Sequence, residues 1–112
     1  MRFAVPVSSG VLSQHFGHCE KFAFIDVDEE KKEIINKEMV QSPGHQPGAL
    51  PGWLAQEGVS VVLAGGMGSR AQNMLNQNRI KVIVNVLESD PDQAVLKYLE
   101  GNLETGAEFC DH

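Results

Sequence analysis

Residues 15–22 read HFGHCEKF, which places His15, His18 and Cys19 within five positions of one another. Imidazole and thiolate are borderline and soft donors, the kind that suit zinc, copper or iron–sulfur species. His15 and His18 are three residues apart, so a single helical turn would bring them onto one face. The other donors are His45, in the proline- and glycine-rich stretch SPGHQPGALPG, and Cys110 and His112, on a tail that could close over a bound species. All of them lie outside the predicted helices and strands. Neither a CxxC pair nor an HExxH helix is present, so spacing alone leaves two readings open. The donors converge on a metal, or they are the polar residues that loops collect.

A second pattern is LAGGMGSRA, residues 63–71, between an apolar run and a helical one. Gly66, Gly68 and Ala71 satisfy the G-x-G-x-x-A spacing of dinucleotide sites, and Glu88 stands where a ribose-binding acid is expected. Gly65, Gly66, Met67, Gly68, Ser69 and Arg70 would form an anion cradle, because successive N–H groups at a helix start attract negative charge. The competing reading is that the glycines only permit a tight strand-to-helix turn. The chain beyond Glu88 is also short for a full dinucleotide fold. Catalysis finds little support. Ser8, Ser9 and Ser13 lack a nucleophile elbow, and His18 and Cys19, as neighbours on an extended chain, would face opposite ways. The protein is therefore expected not to be an enzyme.

The elements that must position these residues follow from periodicity. RFAVPV predicts a first strand, in which Pro6 should face away from a ladder partner. KFAFIDVD and EIINKEMVQ predict an antiparallel pair across a polar EEKK turn. A short helix carries Leu50, Trp53 and Leu54 and stops at Gly58. VSVVLAGG reads as a buried central strand, residues 68–78 as a helix, and IKVIVNV as another buried strand. SDPDQAVLKYLEG predicts a helix with Asp90 as cap, Gln93 completing a capping box, Pro91 in the first turn and Gly101 at the end. Ala94, Val95, Tyr98 and Leu99 form its buried stripe. Three strands followed by helix–strand–helix–strand–helix predict an α/β fold with a mixed sheet. One domain over 1–112 is expected, with a flexible loop near 41–48 and a flexible tail near 104–112.

Fifteen acids against nine bases give a net charge of -6, and no basic run appears, so nucleic acid is not an expected partner. No stretch is apolar enough for a membrane span or a signal peptide. The expected compartment is the cytoplasm, where Cys19 and Cys110 would be thiols.

In SQHFGHCEKF, PGHQPGALPGWLAQEGVSVVLAGGMGSRA and AVLKYLEGNLETGAEFCDH, the chain resembles the dinitrogenase iron–molybdenum cofactor biosynthesis family over nearly its whole length. The resemblance implies a ribonuclease-H-like fold, with a mixed sheet of about five strands: an antiparallel opening, a parallel βαβ remainder and flanking helices. It implies a carrier, scaffold or storage protein for an iron–sulfur, iron–molybdenum or thiomolybdate-type cluster, without turnover. It also points to a cluster-delivery or acceptor protein as partner, and to a monomer or weak homodimer. His15 of the H-F-G motif is the cluster contact it favours, with Cys19 as soft ligand and Cys110 and His112 as further members. A nucleotide-binding regulatory module and a mononuclear zinc or copper site are the alternatives.

Overall fold

The computed structural model describes residues 1–14, 16, 19–42 and 49–106. Its elements run β1 (Arg2–Ser8), β2 (Val11–Leu12), β3 (Lys21–Asp28), β4 (Glu33–Gln41), α1 (Ala49–Gln56), β5 (Val61–Leu63), α2 (Ser69–Gln77), β6 (Lys81–Ile83) and α3 (Pro91–Glu100). The sheet order is β4-β3-β1-β5-β6, with β2 paired to β1. β1–β3 and β3–β4 are antiparallel, whereas β1–β5 and β5–β6 are parallel. The mixed sheet with an antiparallel opening is thus the one expected. The two-residue β2 is an addition that no hydrophobic period announces.

Alternation along the strands sends side chains to two faces, and each face has its own core. Phe3, Val5, Ile25 and Leu63 meet Ala94 and Val95 of α3 on one side. Ala4, Phe22, Phe24 and Val62 meet Leu54 of α1 and Leu75 of α2 on the other. The result is a sheet between two helical layers. Trp53 closes the second layer, with its ring 5.5 Å from both Phe22 and Phe24.

Two strands are shorter than their apolar runs. β5 ends at Leu63, because Ala64, Gly65 and Gly66 bond instead to segments from β6, the following loop and the loop after β2. β6 covers only Lys81–Ile83 and is not a buried strand. It forms the sheet's edge with β5 as its single strand neighbour, so Lys81 is exposed and Val82 and Ile83 are half-buried. α3 begins at Asp90 with Pro91 behind it and ends at a left-handed Gly101, as read. The expected capping box is absent, since Asp90 makes no side-chain cap bond. The Glu88 carboxylate instead accepts the Asp90 N–H at 3.1 Å.

Pro6 lies in a central strand, which is tolerated because β1 leaves β5 early. Their pairing covers only Phe3↔Val61 and Ala4↔Val62. Beyond it, Pro6 contributes an acceptor alone, taking the Ser13 N–H at 2.7 Å. The opposite end of the sheet is clamped by Arg2, whose guanidinium donates to Asp26 at 2.9 and 3.2 Å and to the Glu57 carbonyl at 3.1 Å.

Arg2 holds the Asp26 carboxyl below the usual carboxylate range. A lowered native pKa stabilises above the unfolded value of about 4 and is lost as pH falls through the native value. Both side chains keep about a quarter of their surface in water, so screening limits the pair to about 1 kcal/mol. Asp26→Asn should therefore lower stability by about that amount at pH 7 in urea unfolding. The difference from wild type should shrink below about pH 4.

Candidate functional site

The parallel strands β1, β5 and β6 place their carboxyl ends at one edge of the sheet, where ligands of open α/β sheets bind. Because β3 is antiparallel to β1 and β4 antiparallel to β3, the start of β3 and the end of β4 reach the same edge. The segments carrying the predicted donors are therefore rooted together. Cys19 precedes β3, and the Ser42 N–H, at the root of the segment with His45, bonds to the Glu20 carbonyl at 3.1 Å. His15, His18, His45, Cys110 and His112 themselves lie outside the described residues.

Into the gap between β1 and β5 comes the segment after β2. The Gly66 N–H donates to the Gln14 carbonyl at 2.8 Å, and the Phe16 N–H donates to the Gly66 carbonyl at 3.1 Å. Gln14 and Phe16 are the sequence neighbours of His15, so both flanks of that histidine are tied to one glycine. The approach is close enough to require glycine. A Cβ at Gly65 would stand 2.7 Å from the Ser13 carbonyl oxygen and 2.9 Å from the Gln14 Cα, and one at Gly66 would stand 2.8 Å from the Gln14 oxygen. Phe16 anchors the segment from below. It is buried in the core, with its ring 5.8 Å from Phe22 in a T-shaped contact.

The chain of bonds continues across the edge. The Asn85 N–H donates to the Gly65 carbonyl at 2.8 Å, and the Asn85 carbonyl accepts the Gly106 N–H at 2.6 Å. With Leu87 N–H to Glu104 carbonyl at 3.1 Å and a Val86↔Thr105 bridge, residues 104–106 pair with 85–87. These three residues, at the start of the tail expected to be flexible, lie beside the glycine loop, and residues 107–112 of that tail lie outside the described residues.

This arrangement changes what the glycine loop offers. Gly66 spends its N–H on Gln14 and so drops out of the expected cradle, while the first turn of α2 opens beside it at Ser69 and Arg70. Gln72 steadies that turn through its side-chain N–H to the Met67 carbonyl at 3.0 Å. Glu88 is also committed: Lys97 donates to it at 2.6 Å and holds its carboxyl below the usual range. Leu87, Glu88, Lys97 and Glu104 line a cavity of about 160 Å³, whose two carboxylates against one ammonium do not favour an anion.

Cys19 is the one expected metal ligand among the described residues, and its setting is that of a core residue. It is 5% exposed and packs in the cluster with Phe16 and Phe22. Burial pushes its thiol up to about 11, and hydrogen bonds with the Cys19 and Val7 backbone and with Ser42 offset this only in part. A neutral buried thiol is a poor ligand. No group of three His, Cys, Asp or Glu side chains suited to a metal ion occurs among the described residues. Sequence reasoning missed Gln14, Phe16 and Asn85. Only Phe16 carried a signal, as an aromatic residue inside a polar loop.

With this geometry in place, comparison with known proteins is informative. The family model for the dinitrogenase iron–molybdenum cofactor matches residues 1–101. The uncharacterized protein MJ0580 of Methanocaldococcus jannaschii is 32% identical over 109 residues, covering 93% of this chain and 90% of its own. Among solved structures, PH0822 superposes over 100% of both chains with a TM-score of 0.88 and 27% identity. The apo form of the orange protein from Desulfovibrio gigas gives 0.70 and 29%, covering 95% of this chain and 92% of its own.

Gly65→Ala should lower unfolding free energy by about 1–3 kcal/mol, since only backbone can yield to the new methyl. Gly52→Ala is the contrast, because Gly52 lies within α1 with nothing inside 4 Å of the added carbon. It should stabilise by about 0.5–1 kcal/mol. Urea denaturation of the two variants checks both signs.

Proposed function

The chain belongs to the dinitrogenase iron–molybdenum cofactor family, and from that premise we propose that it binds an anionic, sulfur-rich metal cluster and carries it without chemical turnover. The cargo is an iron–sulfur or thiomolybdate-type species, taken from or passed to a delivery or acceptor protein. The observation that carries this reading is the double tie of Gln14 and Phe16 to Gly66, continued through Asn85 to Gly106. It brings Gln14 and Phe16, the flanks of His15, together with the glycine loop and residues 104–106 at one edge of the sheet.

The donor set suits such a cargo. An imidazole supplies ligation that can be exchanged, and the N–H groups of Ser69 and Arg70 with the exposed Arg70 side chain supply local positive potential. An acidic protein needs that local potential, because its overall field opposes an anion. Cys110 and His112 are further candidate ligands. Cys19 acts as a packing residue in this account, and His18 and His45 are secondary. The engaged Gly66 N–H and the Glu88–Lys97 pair weigh against the nucleotide alternative.

Anaerobic incubation with tetrathiomolybdate followed by desalting tests the proposal. Wild type should retain molybdenum with a charge-transfer band. His15→Ala should weaken retention about tenfold, the scale of one lost charge-assisted contact. Cys19→Ala should lower stability and leave affinity within about twofold, since its buried thiol is spared from ligation. Wild type that retains neither tetrathiomolybdate nor an iron–sulfur species contradicts the reading. Zinc or copper found instead after purification without chelator would favour a mononuclear site.

A further inference from the structure

Among the described residues, four that are not glycine have a left-handed backbone: Ser9, Lys32, Arg79 and Asn85, at φ values of 55, 56, 64 and 57°. The first three are exposed, whereas Asn85 is half-buried and lies within the bond chain that joins the glycine loop to residues 104–106. Glycine would hold this backbone without penalty, so the turn itself does not call for a carboxamide. Asparagine is the residue that tolerates the left-handed region while still presenting polar atoms.

Both Asn85 backbone groups are used, one toward Gly65 and one toward Gly106. No described residue hydrogen-bonds the carboxamide, and its polar atoms are not sealed from the surface. A half-buried amide without a partner among the described residues therefore stands beside the two backbone segments that the proposed site uses. Its Cβ is 3.7 Å from where a Cβ on Gly106 would lie. The carboxamide nitrogen carries two N–H donors, the complement of an anion's sulfur or oxygen periphery.

We propose that Asn85 is a cargo-binding residue, whose side-chain N–H groups donate to an anionic thiometallate at the carboxyl edge of the sheet. This assignment rests on the cluster-carrier reading and adds to it a donor that lies on neither the histidine loop nor the glycine loop.

Equilibrium titration with tetrathiomolybdate under anaerobic conditions, run beside thermal unfolding, tests it on wild type, Asn85→Gly and Asn85→Asp. Asn85→Gly keeps the left-handed backbone, so its melting temperature should stay near that of wild type while Kd rises about tenfold. Asn85→Asp loses the donors and adds a negative charge, so its Kd should rise further. Unchanged Kd in both variants overturns the assignment and leaves cluster binding standing. A weaker Kd that appears only with a large fall in melting temperature marks a structural role and also overturns it. Wild type that takes up no tetrathiomolybdate overturns the carrier reading and this assignment together.

Discussion

The site edge depends on a backbone contact that leaves no room for a side chain, with Ser13 and Gln14 lying directly against Gly65 and Gly66. The contact arises because β1 and β5 pair over only Phe3 and Ala4 before separating. A gap between parallel strands would leave backbone groups unpaired in a dry interior. The segment after β2 fills it and takes up those groups, with Phe16 held in the core beneath. Once this segment is seated, Asn85 and residues 104–106 follow by further backbone bonds. Side-chain chemistry at this edge is thus positioned by main chain, which is stiffer than any set of rotamers.

That construction suits a carrier. A protein with net charge -6 repels an anion at a distance, so uptake of the proposed cargo would rely on short-range donors gathered at one place. Exchangeable imidazole and N–H donors would hold the proposed thiometallate less permanently than a ring of thiolates, and a carrier must release what it takes. The buried, protonated Cys19 fits the same logic, since a thiolate in that position would trap soft metals.

The legibility of the sequence followed the locality of each interaction. β3 and β4 occupy the spans read from KFAFIDVD and EIINKEMVQ, because alternation and a polar turn are local signals. β5 and β6 were read too long. Apolar runs such as VSVVLAGG do not reveal where a partner strand stops, and IKVIVNV does not reveal that its strand is an edge. The capping box of α3 failed similarly: Asp90 has the right type but makes no side-chain cap bond, and its own N–H goes to the Glu88 carboxylate. At the candidate site, donor types drew attention to loops whose described ends meet at one edge of the sheet, while the tie between Gln14, Phe16 and Gly66 spans about fifty residues and leaves no trace in spacing. Cys19 shows the converse, a ligand by type that burial makes a packing residue.

The central claim is that anionic cargo binds at the carboxyl edge of the parallel strands. The most direct measurement is a two-dimensional amide NMR titration of labelled protein with tetrathiomolybdate under anaerobic conditions. The account predicts shifts concentrated in residues 13–16, 65–70, 85–87 and 104–106, with little change at the opposite edge near Arg2, Glu57 and Arg79. Shifts centred on that opposite edge, or spread evenly over the sheet, would contradict it.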